Sequence, residues 1–150
     1  MTPRDRTADG RFRILAIANE TLEGEAFHQL IVECAGGLRA DVIVVAPALN
    51  SRVRHWFSDE DGARHAAEER LDRSLERLEG DGIAAYGWIG DADPLKAIAD
   101  ALVVFPADQL IISTHPEQRS NWLAHDVVRR ASERFGLPTS HVVDRALTAA

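Results

Sequence analysis

Five short apolar runs, each separated from the next by a segment of helical periodicity, constrain this chain more than any other feature. They fall at residues 11–18, 41–47, 82–89, 108–113 and 139–144. The clearest is Asp41-Val42-Ile43-Val44-Val45-Ala46-Pro47, where β-branched residues follow one another without alternation. Strands that are apolar on both faces belong to parallel sheets covered on both sides. The run at 82–89 is the weakest, because Gly82 and Gly87 interrupt it.

The segments between the runs read as helices. Phe27, Leu30, Ile31, Cys34, Ala35 and Leu38 recur at spacings of three and four, and Gly36-Gly37 supplies a stop. A second helix is expected over 63–80, with Ala67, Leu71, Leu75 and Leu78 as its apolar stripe. Asp93-Pro94 reads as N-cap and N1 of a third, which buries Leu95, Ile98, Ala99 and Leu102. Ser120 or Asn121 is the expected cap of the last, with stripe Leu123, Val127, Val128, Ala131 and Phe135. Gly136 ends it and Pro138 blocks continuation.

The order β-α-β-α-β-α-β-α-β predicts one α/β domain of Rossmann-like type, a parallel sheet with right-handed crossovers and helices on both faces. It spans 11–145, between a flexible polar tail at 1–10 and a short one at 146–150. The longest connection, 48–62, ends in the acidic turn Asp59-Glu60-Asp61-Gly62 and is a candidate cover for a site.

Charge narrows the partners. Among 150 residues, 17 are Lys or Arg and 24 are Asp or Glu, a formal charge of −7. That argues against nucleic acid and against an anionic membrane surface. No apolar run approaches the ~18–20 residues a membrane span needs, and residues 1–13 have no apolar core of a signal peptide. The lone cysteine excludes a disulfide scaffold and fits a reducing cytoplasm.

Ligands of open α/β sheets bind at the carboxyl ends of the strands, near the switch point of the strand order. That selects Asn19, Glu20 and Thr21 after the first strand, and Ser113, Thr114, His115, Arg119, Ser120 and Asn121 after the fourth. Arg119, with Ser120, Asn121 and a helix N-terminus, suits a phosphate or carboxylate; the alternative is an exposed arginine paired with Glu117. His115 suits either a phosphate donor or a loop-fixing hydrogen bond. The Asn19 amide suits an adenine or ribose edge, or a turn. Glu23, like Glu20, suits the first helix's N-terminus.

Asp91 and Asp93 resemble a metal pair, but Asp93 before Pro94 is a helix cap. Trp56, Trp88 and Trp122 suit either an aromatic wall or loop packing. No histidine has metal-ligand spacing, so no metal site is expected. No phosphate-binding G-x-x-x-x-G-K-[ST] loop, G-x-G-x-x-G or G-x-S-x-G motif occurs. A receiver domain is excluded because the only lysine, Lys96, does not follow the last strand.

The opening strand Ile14-Leu15-Ala16-Ile17-Ala18, the closing Pro138-Thr139-Ser140-His141-Val142-Val143-Asp144, Gly90-Asp91, and the run from Ala107 to Ser113 together resemble the universal stress protein family. The resemblance covers 13–144. It implies an adenine nucleotide alpha hydrolase-like five-stranded parallel sheet in the order 3-2-1-4-5, and a homodimer formed along the last strand. ATP-binding members carry Asp where Asn19 stands. They also have a glycine-rich phosphate loop after the fourth strand; here residues 113–123 contain no glycine and include Pro116. The chain therefore resembles a divergent member lacking the ATP-binding loop, and ATP with Mg²⁺ does not carry over with it. The function implied is a cytoplasmic stress-response regulatory module that binds a small anionic ligand, such as a nucleotide, with no catalytic residue assigned. The alternatives are a protein-interaction module acting as a dimer without nucleotide and, behind it, a phosphoester or anhydride hydrolase using His115.

Overall fold

The computed structural model describes residues 11–18, 22–36, 39–47, 60–114 and 118–143, without the side chains of 60, 61, 63 and 118–125. The elements in chain order are β1 (Phe12–Ile17), α1 (Glu25–Ala35), β2 (Ala40–Pro47), α2 (Glu60–Gly80), β3 (Ala84–Gly90), α3 (Pro94–Val104), β4 (Gln109–Thr114), α4 (Gln118–Phe135) and β5 (Thr139–Val143). The strands form one sheet in the order β3-β2-β1-β4-β5, and every neighbouring pair is parallel. The expected fold and strand order are thus found. The expectations for tails at 1–10 and 146–150 fall outside the described residues.

Side chains alternate across each strand, so the sheet divides the core in two. On one face Ile14, Ala16, Val42 and Val44 pack with Phe27 and Ile31 of α1 and Leu71 and Leu78 of α2. On the other, Leu15, Ile17, Val45 and Ile112 pack with Ile98 of α3 and Ala131 of α4. The crossovers α1 and α2 therefore cover one face, and α3 and α4 the other. The reversal falls between β1 and β4. Asp108 pins that junction: its Oδ2 accepts from the Arg13 N–H at 2.9 Å, and its own N–H donates to the Arg13 carbonyl at 2.8 Å.

Local chemistry explains most boundaries. Gly36 closes α1 in the left-handed region at φ 50°, and its N–H donates to the Val32 carbonyl at 3.0 Å. Gly87 lets β3 fit under α2, since a Cβ there would lie 2.6 Å from the Val44 carbonyl oxygen and 3.0 Å from Leu71 Cδ1.

Three local expectations need correction. α2 starts at Glu60, so Glu60, Asp61 and Gly62 belong to a helix and not to the preceding loop. Acidic residues suit the positive end of a helix as well as they suit a turn. α4 starts at Gln118, so Ser120 and Asn121 lie inside it and do not cap it; Gln and Arg at its start are good helix formers. In α3 the fully buried face is Ala97, Ile98 and Ala101, and Ala99 is half-buried. Small residues let α3 approach Gly90, whose added Cβ would lie 3.2 Å from Ala97 Cβ.

Candidate functional site

The strand order reverses between β1 and β4, and folds of this class bind ligands at the carboxyl ends of the strands beside such a switch point. Of the residues selected from sequence, Ser113 and Thr114 are described, and both end β4. Each is 8% exposed. They point to opposite faces of the sheet, as successive strand residues must. Asn19, Glu20, Thr21 and His115 lie outside the described residues. Arg119, Ser120 and Asn121 occupy the first turn of α4, which directly follows β4; their side chains are not among those described. The fold thus brings Ser113, Thr114 and the start of α4 to one end of one strand.

Thr114 has a partner that sequence reasoning missed. Its Oγ1 lies 2.7 Å from Nε2 of His141 on β5. The register sets Ile112 opposite His141 and Thr114 opposite Val143, so the bond runs diagonally between strands. One step deeper, Gln109 Nε2 donates to Ser140 Oγ at 2.9 Å and to Cys34 Sγ at 3.3 Å. Cys34 is accordingly half-buried and hydrogen-bonded, beyond the buried hydrophobe its stripe position suggests.

The loop after β3 is built for structure. Asp93 Oδ1 accepts from the Leu95 N–H at 3.0 Å and caps α3. Asp91 Oδ1 accepts from the Asp93 N–H at 2.9 Å. Lys96 Nζ lies 3.1 Å from Asp100 and 3.5 Å from Asp91. The hydrogen bond that Lys96 donates to Asp100, with the charges of the Asp100 and Asp91 carboxylates, holds the Lys96 ammonium above its ordinary pKa. Among the described residues no group of three or more His, Cys, Asp or Glu is placed to hold a metal. Trp88 packs against the α3–α4 half of the core; Trp56 and the Trp122 side chain fall outside the described set.

A second set of polar residues gathers on the α1–α2 face. Glu23 pairs with Arg73, Glu25 with Arg77, and His28 Nε2 lies 2.6 Å from Asp81 Oδ2. The hydrogen bond from Arg77, followed by that from Gln29, holds the Glu25 carboxyl below its ordinary pKa. The Glu23 hydrogen bond raises the Arg73 guanidinium correspondingly. Glu23 thus spends its charge on α2, beyond its expected role at the start of α1. The sequence signal was the spacing of Arg73 and Arg77 along one side of α2 and of Asp81, four further on, just past its end.

At the level of sequence, no family model and no curated protein matches the chain. The fold does match. A universal stress protein family structure from Burkholderia pseudomallei superposes with a TM-score of 0.56 at 16% identity, covering 86% of this chain and 93% of that one. A universal stress protein family structure from Arabidopsis thaliana, with AMP bound, superposes with a TM-score of 0.55 at 10% identity, covering 90% and 93%. At such identities the likeness is one of fold: the chain has the five-stranded architecture of these structures over most of its length. Among the described residues no helix is long and apolar enough to cross a membrane.

Proposed function

We propose that the chain is a regulatory module, like the universal stress proteins whose fold it shares, that binds a small anionic ligand of the nucleotide class at the carboxyl ends of β1 and β4. The observation that carries this reading is the AMP held by the Arabidopsis protein of the same fold. The reversal of strand order between β1 and β4 supports it, as do the buried hydroxyl-bearing residues Ser113 and Thr114 at the end of β4. In this reading Asn19, Glu20 and Thr21 border the base or ribose. Ser113, Thr114, His115, Arg119, Ser120 and Asn121 border the phosphate, with α4's N-terminus adding its free N–H groups. The ligand is sensed and not turned over, and the setting is the cytoplasm. Calorimetric titration with AMP, and with ATP and Mg²⁺, tests this. Saturable binding weakened by Arg119→Ala by about 1.5–3 kcal/mol, the scale of a charge-assisted hydrogen bond, supports it. No binding of either nucleotide removes the nucleotide class.

One observation favours a second reading, an interaction module that works as a homodimer. β5 is an open edge of the sheet, and Val143 upon it is 47% exposed. Unpaired edges of this kind invite a partner strand. Light scattering across a concentration series decides: a dimer mass supports this reading, and a monomer mass at every concentration rejects it.

A further inference from the structure

β3 is the outer strand at the end of the sheet opposite β5, and among the described elements it has a neighbour, β2, on one side only. An edge strand presents a row of backbone N–H and C=O groups to whatever lies beside it. The two faces of β3 are covered unequally. Ala85 and Ile89 pack into the core that holds Leu71 and Leu78 of α2, and a Cβ on Gly87 would meet Leu71. Tyr86, Trp88 and Gly90 therefore face the α3 side, since successive strand residues alternate. There the cover thins along the strand. At Gly90 an added Cβ would lie 3.2 Å from Ala97 Cβ of α3, Trp88 is half-buried, and Tyr86 is 60% exposed.

Proteins guard an open edge with charge, proline or a bulge. β3 has none of these. Ala84-Ala85-Tyr86-Gly87-Trp88-Ile89-Gly90 contains no charged residue and no proline, in a chain that is 27% charged. Its register against β2 runs unbroken from Asp41↔Ala84 to Pro47↔Gly90, with no bulge. Two copies of a chain with a formal charge of −7 repel one another, and along this strand they meet without facing like charges.

We propose that β3 pairs antiparallel with β3 of a second copy about a two-fold axis through Gly87, so that the two sheets continue as one. Gly87 is the middle residue of the strand, so this register pairs the strand over its whole length. It sets Tyr86 opposite the partner's Trp88, and Trp88 opposite the partner's Tyr86, on the less covered face. A centre one residue away loses both pairs: at Tyr86 it sets Trp88 opposite Ala84, and at Trp88 it sets Tyr86 opposite Gly90. Directly opposed aromatic residues stabilise antiparallel strands. The fit is reciprocal, as a two-fold interface between identical chains requires, and this favours a second copy over a strand of another protein. The pairing is independent of the strand-end ligand reading, and it uses the edge opposite the one in the β5 homodimer reading.

The test is amide hydrogen exchange of the full chain at low and at high protein concentration, with sedimentation equilibrium on the same samples. Amides within 84–90 are expected to gain protection as concentration rises and the mass climbs above that of a monomer. Tyr86 is exposed, so Tyr86→Glu leaves the core intact. It removes both aromatic pairs and adds like charge, and should raise the concentration needed for that protection about tenfold or more. Val143→Glu, on the opposite edge, should leave the protection at 84–90 unchanged. Protection that rises only in β5, or nowhere, overturns the pairing and leaves the β3 edge to a strand of another protein. Wild-type protection of 84–90 in Tyr86→Glu overturns it as well. Nucleotide binding at the strand ends can fail without touching any of these results.

Discussion

Thr114 at the end of β4 and His141 on the edge strand β5 share a 2.7 Å hydrogen bond between Oγ1 and Nε2, which ties the rim of the candidate site to the open edge of the sheet. Thr114 is buried, so removing the imidazole alone leaves a hydroxyl without that partner. His141→Ala is expected to cost about 1–3 kcal/mol, and a double-mutant cycle with Thr114→Val to give a coupling of about 1 kcal/mol. Urea denaturation of the four proteins measures it. Strictly additive losses would show that the bond contributes nothing to stability.

Glu25 sets a pH dependence. Arg77 holds its carboxyl below the ordinary pKa in the folded protein, and the unfolded chain lacks that partner. The unfolded state therefore takes up the proton first as pH falls. The stabilisation is complete above the unfolded carboxylate pKa and is lost as pH falls through the depressed folded value. Glu25→Gln is expected to flatten the acid limb of the stability curve and to leave its slope near neutrality unchanged. Because the pair is exposed, added salt should shrink the difference between the two proteins. Denaturant melts across the acid range, at low and high salt, check both.

What the sequence made legible followed from local signals. The unbroken β-branched run of β2, the Asp93-Pro94 start of α3 and the Gly36 and Gly136 stops each act within a few residues, and each reads correctly. The strand order came with the resemblance, because nothing local encodes which strands become neighbours. The misses share a cause. Ala97 and Ala101 carry little hydrophobic signal, and their burial depends on Gly90 in the strand above them. Thr114 and His141 are 27 residues apart and meet only through the β4–β5 register. The Glu23–Arg73 and Glu25–Arg77 pairs join elements about fifty residues apart. Ser113 and Thr114 were legible as site candidates because the fold class alone assigns function to strand ends.

Gly87 is expected to be the least replaceable glycine of the sheet. Its added Cβ would meet the Val44 carbonyl, which is backbone and cannot step aside, as well as Leu71. Gly87→Ala should cost about 1–3 kcal/mol, the range of overpacking in a filled core, with values at or beyond the upper end because backbone must move. Gly80→Ala, where no atom lies within 4 Å of the new Cβ, serves as the control and should be neutral or slightly stabilising. Equal melting midpoints for the two variants would mean that β3 and α2 can separate without cost.

Asp93 tests whether the loop after β3 is structural or ligand-directed. Its Oδ1 caps α3 through the Leu95 N–H, Pro94 follows at the first helical position, and Asp91 holds the Asp93 N–H in turn. A capping role needs an acceptor on a short side chain and no charge. Asp93→Asn and Asp93→Ser should therefore retain most of the stability, while Asp93→Ala loses about 1 kcal/mol. A ligand-directed role for a cation would erase that order of tolerance, since Asn and Ser discard the charge as fully as Ala does. Thermal melts of the three variants, with and without added Mg²⁺, separate the two. A cap predicts the ranking Asp, Asn and Ser above Ala with no response to the ion. Equal losses in all three variants, or stabilisation of the wild type alone by Mg²⁺, would assign the loop to a bound cation instead.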